Sequence, residues 1–227
     1  MNRLAAVVAA LSLAFVGTSN AWAQLGPGAC CLPDGSPAGD GVNCLYFDNL
    51  FAEELCVDSW GGVFHAGQSC SEVACPSYFN VPGDYPTIQG AINASSNGDV
   101  INIAAGTYNE HSLNPGGKAI TIQGTLNGDG TLATTIDALQ WDRVFLVNSG
   151  EGNGTVIQNL IITGGAATRG GGIRCSSSSP TITGCTISNN TGTNGGGGIY
   201  CSNSSSPTIS DCTITGNTAS YGNGVNG

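Results

Sequence analysis

Apolar and polar residues alternate in short runs along the last third of the chain, and the runs recur. Thr181-Ile182-Thr183 and Thr213-Ile214-Thr215 each set one isoleucine between β-branched hydroxyl residues, with Gly, Asn and Ser between such runs. Period-2 alternation in β-branched residues predicts half-buried strands, and no stretch here has helical periodicity. The runs also sit in longer repeats. Gly171-Gly172-Ile173-Arg174-Cys175 returns as Gly197-Gly198-Ile199-Tyr200-Cys201, and Pro180-Thr181-Ile182 through Cys185-Thr186-Ile187 returns as Pro207-Thr208-Ile209 through Cys212-Thr213-Ile214. The cysteine offsets are 26 and 27 residues, the extra residue falling in the serine run before the proline. Such a period marks a solenoid whose repeats bury their apolar faces only against their neighbours. Short strands joined by tight turns make it a parallel β-helix.

Upstream the pattern changes. Thr87 to Ala94 places Ile88, Ala91 and Ile92 at i, i+3 and i+4, which predicts a short amphipathic helix with Pro86 in its first turn. One or two turns are not stable alone, so this helix is expected to cap the open first coil. Strands are expected at 99–103, 105–110, 118–122, 134–137, 144–147 and 156–162. At about three strands per coil this makes roughly four to five coils, a stack about 20–25 Å tall at the ~4.8 Å strand spacing. Ile173, Ile182 and Ile187 should stack inward on Ile199, Ile209 and Ile214. Asn190 and Asn217 follow inward isoleucines by three residues, where an amide ladder satisfies turn carbonyls. Cys175 over Cys201 and Cys185 over Cys212 form inward stacks, either as free thiols packing like small hydrophobes or as disulfides between rungs. The glycine runs at 170–172 and 195–198 are turns, because no Lys-Ser/Thr and no helix follows them. Asn223 to Gly227 begins a third unit and stops. The β-helix, 78–227, is therefore expected to be incomplete at its C-terminus; the alternative is a complete chain whose last coil self-associates through residues 199–227.

The first 23 residues read as a cleaved secretory signal: Arg3, an apolar run from Leu4 to Val16, and Ala21-Trp22-Ala23 before Gln24. No later segment is long and apolar enough for a membrane-spanning helix. Residues 24–77 hold Cys30, Cys31, Cys44, Cys56, Cys70 and Cys75 with few aliphatic residues, which predicts a small module stapled by disulfides. Six cysteines allow fifteen pairings. Their spacing lacks paired C-x-x-C, so no metal is expected there. Asp48, Glu53, Glu54 and Asp58 read as a solvated acidic face.

Charge narrows the function. Five Lys+Arg stand against fifteen Asp+Glu, and charged residues make up 9% of the chain, against about 25% in ordinary domains. Nucleic-acid binding needs clustered cations and is not expected. Ser, Thr, Asn and Gly cover the surface instead.

Two resemblances add to this reading. Gly28-Ala29-Cys30-Cys31-Leu32-Pro33-Asp34-Gly35-Ser36, with Gly61-Gly62, Gly67, Cys70, Val73 and Cys75, resembles a small Cys-rich repeat of secreted proteins of environmental bacteria, although Pro37 stands where that family has a further cysteine. Tyr85-Pro86-Thr87-Ile88-Gln89 through Ala105-Gly106-Thr107-Tyr108-Asn109-Glu110 resembles the N-terminal coil of right-handed parallel β-helix proteins, including pectin methylesterases and pectate-lyase-like folds. The Gly-Gly-Gly-Ile-Tyr-Cys and Cys-Thr-Ile-x-x-Asn units are similar to repeats of polymorphic outer-membrane-type surface proteins. The resemblance implies a right-handed helix over about residues 79–227.

The chemistry does not follow the fold. The pectin methylesterase segment Gly-x-x-Asp-Phe-Ile-Phe-Gly has no counterpart after Gly164, and the strands from Gly171 onward hold one acid, Asp211. His111 reads as a surface turn residue. Asp142 and Arg143, adjacent on a strand, should face opposite sides. Arg174, one rung below Tyr200, should form a cation–π pair with it. The expectation is an all-β, secreted or cell-surface, non-catalytic protein, structural or adhesive, with neither cofactor nor metal, whose partners are polysaccharide or other surface proteins. Tyr200, Tyr221 and Trp141 are its candidate sugar-stacking residues. The alternative is a partial or degenerate lyase or esterase using Asp137, Asp142 and Arg143.

Overall fold

The chain divides into two compact units, Met1–Pro76 and Ser77–Gly227. The computed structural model describes residues 28–31, 44–47, 63–66, 75–220 and 225–226. In the first unit β1 (Gly28–Cys31) lies between β2 (Cys44–Phe47) and β3 (Val63–Ala66) in an antiparallel sheet. Cys75 is disulfide-bonded. The pairing of the six cysteines, the leader and the acidic face all lie outside the described residues.

The second unit is a right-handed parallel β-helix of about five turns. It opens with β4 (Tyr78–Val81) and helix α1 (Ile88–Ala94). The first coil contributes β5 (Val100–Ile103) and β6 (Gly106–Tyr108). The second adds β7 (Thr121–Gly124), β8 (Thr134–Asp137) and β9 (Phe145–Val147). The third holds β10 (Val156–Gln158), β11 (Ile161–Thr163), β12 (Ala166–Ala167) and β13 (Ile173–Ser176). The fourth repeats these as β14 (Thr181–Thr183), β15 (Thr186–Ser188), β16 (Thr191–Gly192) and β17 (Ile199–Ser202). The fifth repeats them as β18 (Thr208–Ser210), β19 (Thr213–Thr215), β20 (Thr218–Ala219) and β21 (Val225–Asn226).

The later coils thus carry four strands each rather than three. The run 156–162 is split because Asn159 takes a left-handed conformation (φ 57°) that turns the chain between β10 and β11. Gly184 and Asp211 turn the next two coils at the same corner (φ 61° and 51°). Glycine and the short Asx side chains are the residues that accept this region most readily.

Stacking produces four sheets. Sheet 1 runs β4-β5-β7-β10-β14-β18, sheet 2 β6-β8-β11-β15-β19, sheet 3 β12-β16-β20 and sheet 4 β9-β13-β17-β21. Inward positions form in-register columns. Ile101, Ile122, Ile157, Ile182 and Ile209 line sheet 1, and Ile136, Ile162, Ile187 and Ile214 line sheet 2. Sheet 4 supplies Phe145, Ile173 and Ile199. Each core residue is therefore desolvated mainly by its equivalent one rung away, which is how a one-dimensional stack acquires a core. Outside sheet 1 runs a ladder that sequence reasoning missed. Asn102 donates to Asn80 (3.4 Å), Gln123 to Asn102 (2.6 Å) and Gln158 to Gln123 (2.7 Å).

Helix α1 covers the first coil, burying Ile88, Ala91 and Ile92 against β4 and β5. Its N-cap is Thr87, whose Oγ1 accepts from the Gly90 N–H at 3.1 Å, so Pro86 stands outside the helix rather than in its first turn. The coil itself satisfies both helix ends. Glu110 accepts from the Ile88 and Gln89 N–H groups (2.8 and 3.1 Å), and the Lys118 Nζ donates to the Ile92 and Asn93 carbonyls (2.6 and 2.9 Å). An anion at the N-terminus and a cation at the C-terminus also suit the helix dipole.

Glu151 is 2% exposed, and its carboxylate accepts from the N–H groups of Gly117 (3.0 Å) and Ser149 (2.7 Å) and from Ser178 Oγ (2.8 Å). Burial works against its charge, but the Gly117, Ser178 and Ser149 donors outweigh it and hold the group below its usual range. A depressed folded-state value stabilises the fold above the unfolded value of about 4.3, and that contribution fades as pH falls through the folded value. Glu151→Gln, which cannot accept from all three donors, is expected to be less stable than wild type in denaturant melts at pH 7. The gap should shrink toward pH 3, and a gap that is constant with pH would contradict this.

An arginine and aromatic face on sheet 4

Strand alternation turns Ile173 and Cys175 inward and Arg174 outward. In register with Arg174 on the outside of sheet 4 stand Leu146 on one rung and Tyr200 on the next. Tyr200 receives a cation from a different residue than the register suggests. The Arg169 guanidinium lies 5.4 Å from the ring centroid. Side chains in a parallel ladder project side by side, so Arg174 stands beside the ring while Arg169, from the preceding loop, crosses its face.

Asp142 and Arg143 overturn the expectation that they diverge. Residues 139–142 form a turn, not a strand, with Leu139 and Gln140 in left-handed conformations (φ 51° and 64°). The turn brings the Arg143 guanidinium within 3.5 Å of the Asp142 carboxylate, which also accepts the Arg143 N–H at 2.8 Å and the Ser112 hydroxyl at 2.7 Å. Burial opposes the Asp142 charge, but the Ser112 hydrogen bond, the Arg143 N–H and the charges of Arg143 and His111 hold the carboxyl below its usual range. Arg143 is 14% exposed, and burial lowers its basicity. Asp142 opposes that fall, while the neighbouring Arg174 charge adds to it.

Contacts link these residues into one run. Trp141, 77% exposed, stacks on His111 with ring centroids 6.1 Å apart. Asp142 pairs with Arg143, whose basicity the Arg174 charge lowers, and on sheet 4 Arg174 stands in register with Tyr200, which Arg169 covers. Three of the chain's five Lys+Arg meet here, although the chain as a whole is strongly acidic. Among the described residues no carboxylate pairs with Arg169 or Arg174, and the Nε atoms of Arg143 and Arg174 are buried without a hydrogen-bond partner. Among the described residues Arg174 thus has no carboxylate partner, and a guanidinium left so can still pair with an anion.

Of the residues singled out in the sequence, Asp142 and Arg143 come together beside Trp141, Tyr200 meets Arg169 instead, and Asp137 joins neither. Asp137 ends β8 on sheet 2, where its carboxylate accepts the Leu139 N–H at 2.8 Å. Tyr221 lies outside the described residues. Arg169, Arg174 and His111 had been passed over as members of a site. No spacing in the sequence announces that residue 111 meets 141 or that 169 meets 200. A second concavity, under the hairpin bridged by Leu126 and Leu132, is lined by Ile161, Thr186, Thr213 and a single carboxylate, Asp211. Among the described residues no three His, Cys, Asp or Glu side chains gather as metal ligands, and no helix is long and apolar enough to cross a membrane.

The four solenoid cysteines are free thiols. Cys175 and Cys201 are in register on β13 and β17, both buried. Cys185 and Cys212 occupy the corner between sheets 1 and 2, Cys185 buried and Cys212 half-buried.

Comparison with curated proteins and with solved structures returned no match. A family model does match: residues 129–226, covering the later part of coil two, coils three to five and all of sheet 4, fit the family described as right handed beta helix region, and in that stretch the chain is a right-handed β-helix both by sequence pattern and by its stacked strands.

Proposed function

We propose that this is a secreted or cell-surface protein whose β-helix binds acidic polysaccharide on sheet 4 without cleaving it. The adjacent Arg143 and Arg174, with Tyr200 beside them, carry this reading. Guanidinium groups match planar carboxylates and sulfates bidentately, and the faces of Tyr200 and Trp141 suit the apolar faces of sugar rings. Arg174 and Tyr200 stand on successive rungs of one sheet, a spacing that fits an extended chain better than a small molecule. The carboxylates offered for catalysis are engaged: Asp137 holds a turn, and Asp142 neutralises Arg143.

The test is binding of the full chain to immobilised alginate and hyaluronan, with neutral dextran as control. Binding to the acidic polymers alone is expected, weakening as salt rises. Arg174→Ala should lose about tenfold or more in affinity, the scale of one charged hydrogen bond. Equal binding to dextran, or an unchanged affinity in Arg174→Ala, would overturn the proposal. So would release of unsaturated uronide or methanol that is lost in Asp137→Ala.

A further inference from the structure

Two cysteine pairs stack between neighbouring coils, one from the third to the fourth and one from the fourth to the fifth, yet their settings differ. Cys175 and Cys201 sit on inward positions of β13 and β17, sealed by the core. Cys185 and Cys212 sit at a corner, one residue before β15 and β19. The Cys185 N–H donates to Cys212 Sγ at 3.5 Å, and the two thiols share a hydrogen bond. Cys212 lies on the last described full coil and is half-buried, whereas Cys185 is 1% exposed.

We propose that Cys185 and Cys212 form an oxidation site, in which a low-molecular-weight disulfide converts the pair to a disulfide bond that staples the fifth coil to the fourth. One rung step of about 4.8 Å lies within the ~4.4–6.8 Å Cα range of disulfides. At a corner the side chains are also freed from the parallel projection that strands impose on Cys175 and Cys201. Cys212 is the attacking thiol because it is the one that solvent reaches. The Cys185 hydrogen bond, opposed by burial and aided by the Cys185 N–H, holds it below the usual thiol range. The same shared hydrogen bond, together with burial, pushes Cys185 up, so Cys185 is the resolving thiol.

The chemistry balances. The Cys212 thiolate attacks one sulfur of RSSR, forming a mixed disulfide and releasing one thiolate, RS⁻. The Cys185 thiol then attacks the Cys212 sulfur, its proton passing to RS⁻, and expels the second RS⁻. Two protein thiols are oxidised to one disulfide, and RSSR is reduced to two thiols. The Cys175–Cys201 pair, which no oxidant reaches in the folded protein, stays reduced.

The experiment incubates the folded full chain, with its solenoid thiols reduced, with oxidised glutathione, then alkylates free thiols and maps peptides by mass. A Cys185–Cys212 cross-link is expected, with Cys175 and Cys201 alkylated. Cys185→Ala, which keeps a small apolar side chain, should trap glutathione on Cys212, while Cys212→Ala should leave Cys185 unmodified. Circular dichroism of each variant confirms that the coil is retained. The proposal fails if Cys185→Ala leaves Cys212 unmodified, if Cys175–Cys201 closes as fast as the corner pair, or if Cys212→Ala still takes glutathione on Cys185.

Discussion

Alanine in place of Asn190 is expected to lower the unfolding free energy by about 3–5 kcal/mol. The side chain is completely buried and ties three coils together. Its Oδ1 accepts from the Gly165 N–H at 2.8 Å, and its Nδ2 donates to the Ile162 and Ser188 carbonyls, both at 3.0 Å. From the coil beyond, Asn217 Oδ1 accepts the Asn190 N–H and Nδ2, also at 3.0 Å. Truncation leaves a buried N–H and buried carbonyls facing a space without donors, and each such orphan costs about 1–3 kcal/mol. Asn217→Ala should cost less, because beyond Asn190 its side chain satisfies only the Ile187 carbonyl (2.8 Å), and at 8% exposed it is less sealed than Asn190. Denaturant melts of the two variants check this. A loss under about 1 kcal/mol for Asn190→Ala, or equal losses for both, would contradict the ladder's role.

Gly165→Ala is expected to cost a comparable amount, about 3 kcal/mol or more, for a different reason. Its backbone N–H reaches Asn190, and its bare Cα lies against the carbonyl of Gly171. A Cβ there would collide with that oxygen and stand 2.9 Å from Asn190 Oδ1. Neither neighbour can yield: the Gly171 carbonyl accepts the Val144 N–H at 3.1 Å, and Asn190 is held on every side. Most overpacking is relieved by side-chain repacking, but here the obstacle is backbone. Gly128→Ala is the control, since nothing lies within 4 Å of its added Cβ, and it should stay within about 0.5 kcal/mol of wild type. Similar melting of the two variants would show that the corner can relax.

Much of the fold was legible because the repeat is its own template. In-register stacking places Ile173 on Ile199, Ile182 on Ile209 and Ile187 on Ile214, so the sequence offset is also the structural offset. The capping helix was legible from the spacing of Ile88, Ala91 and Ile92. The corner at Asn159 was not, because an asparagine between Val156-Ile157 and Leu160-Ile161-Ile162 reads equally well as continuous strand until its left-handed φ is seen. The same limit hid the turn at 139–142, and with it the Asp142–Arg143 pair. It also hid the helix caps Glu110 and Lys118, which reach α1 from the following coil.

The sequence by itself determined the solenoid, its period, its inward isoleucine columns and the amide ladder at Asn190 and Asn217. These are one-dimensional properties, carried by residues that meet their own repeats. Only the tertiary structure decided which charges meet. Arg169 and Arg174 come from a loop and a strand with no shared periodicity, and winding the chain around a core brings both to Tyr200, while the turn at 139–142 closes Asp142 on Arg143. Burial patterning places a side chain inside or outside. It does not say which outward neighbours the corners will bring together, because corner geometry depends on backbone dihedrals that alternation in hydrophobicity does not encode.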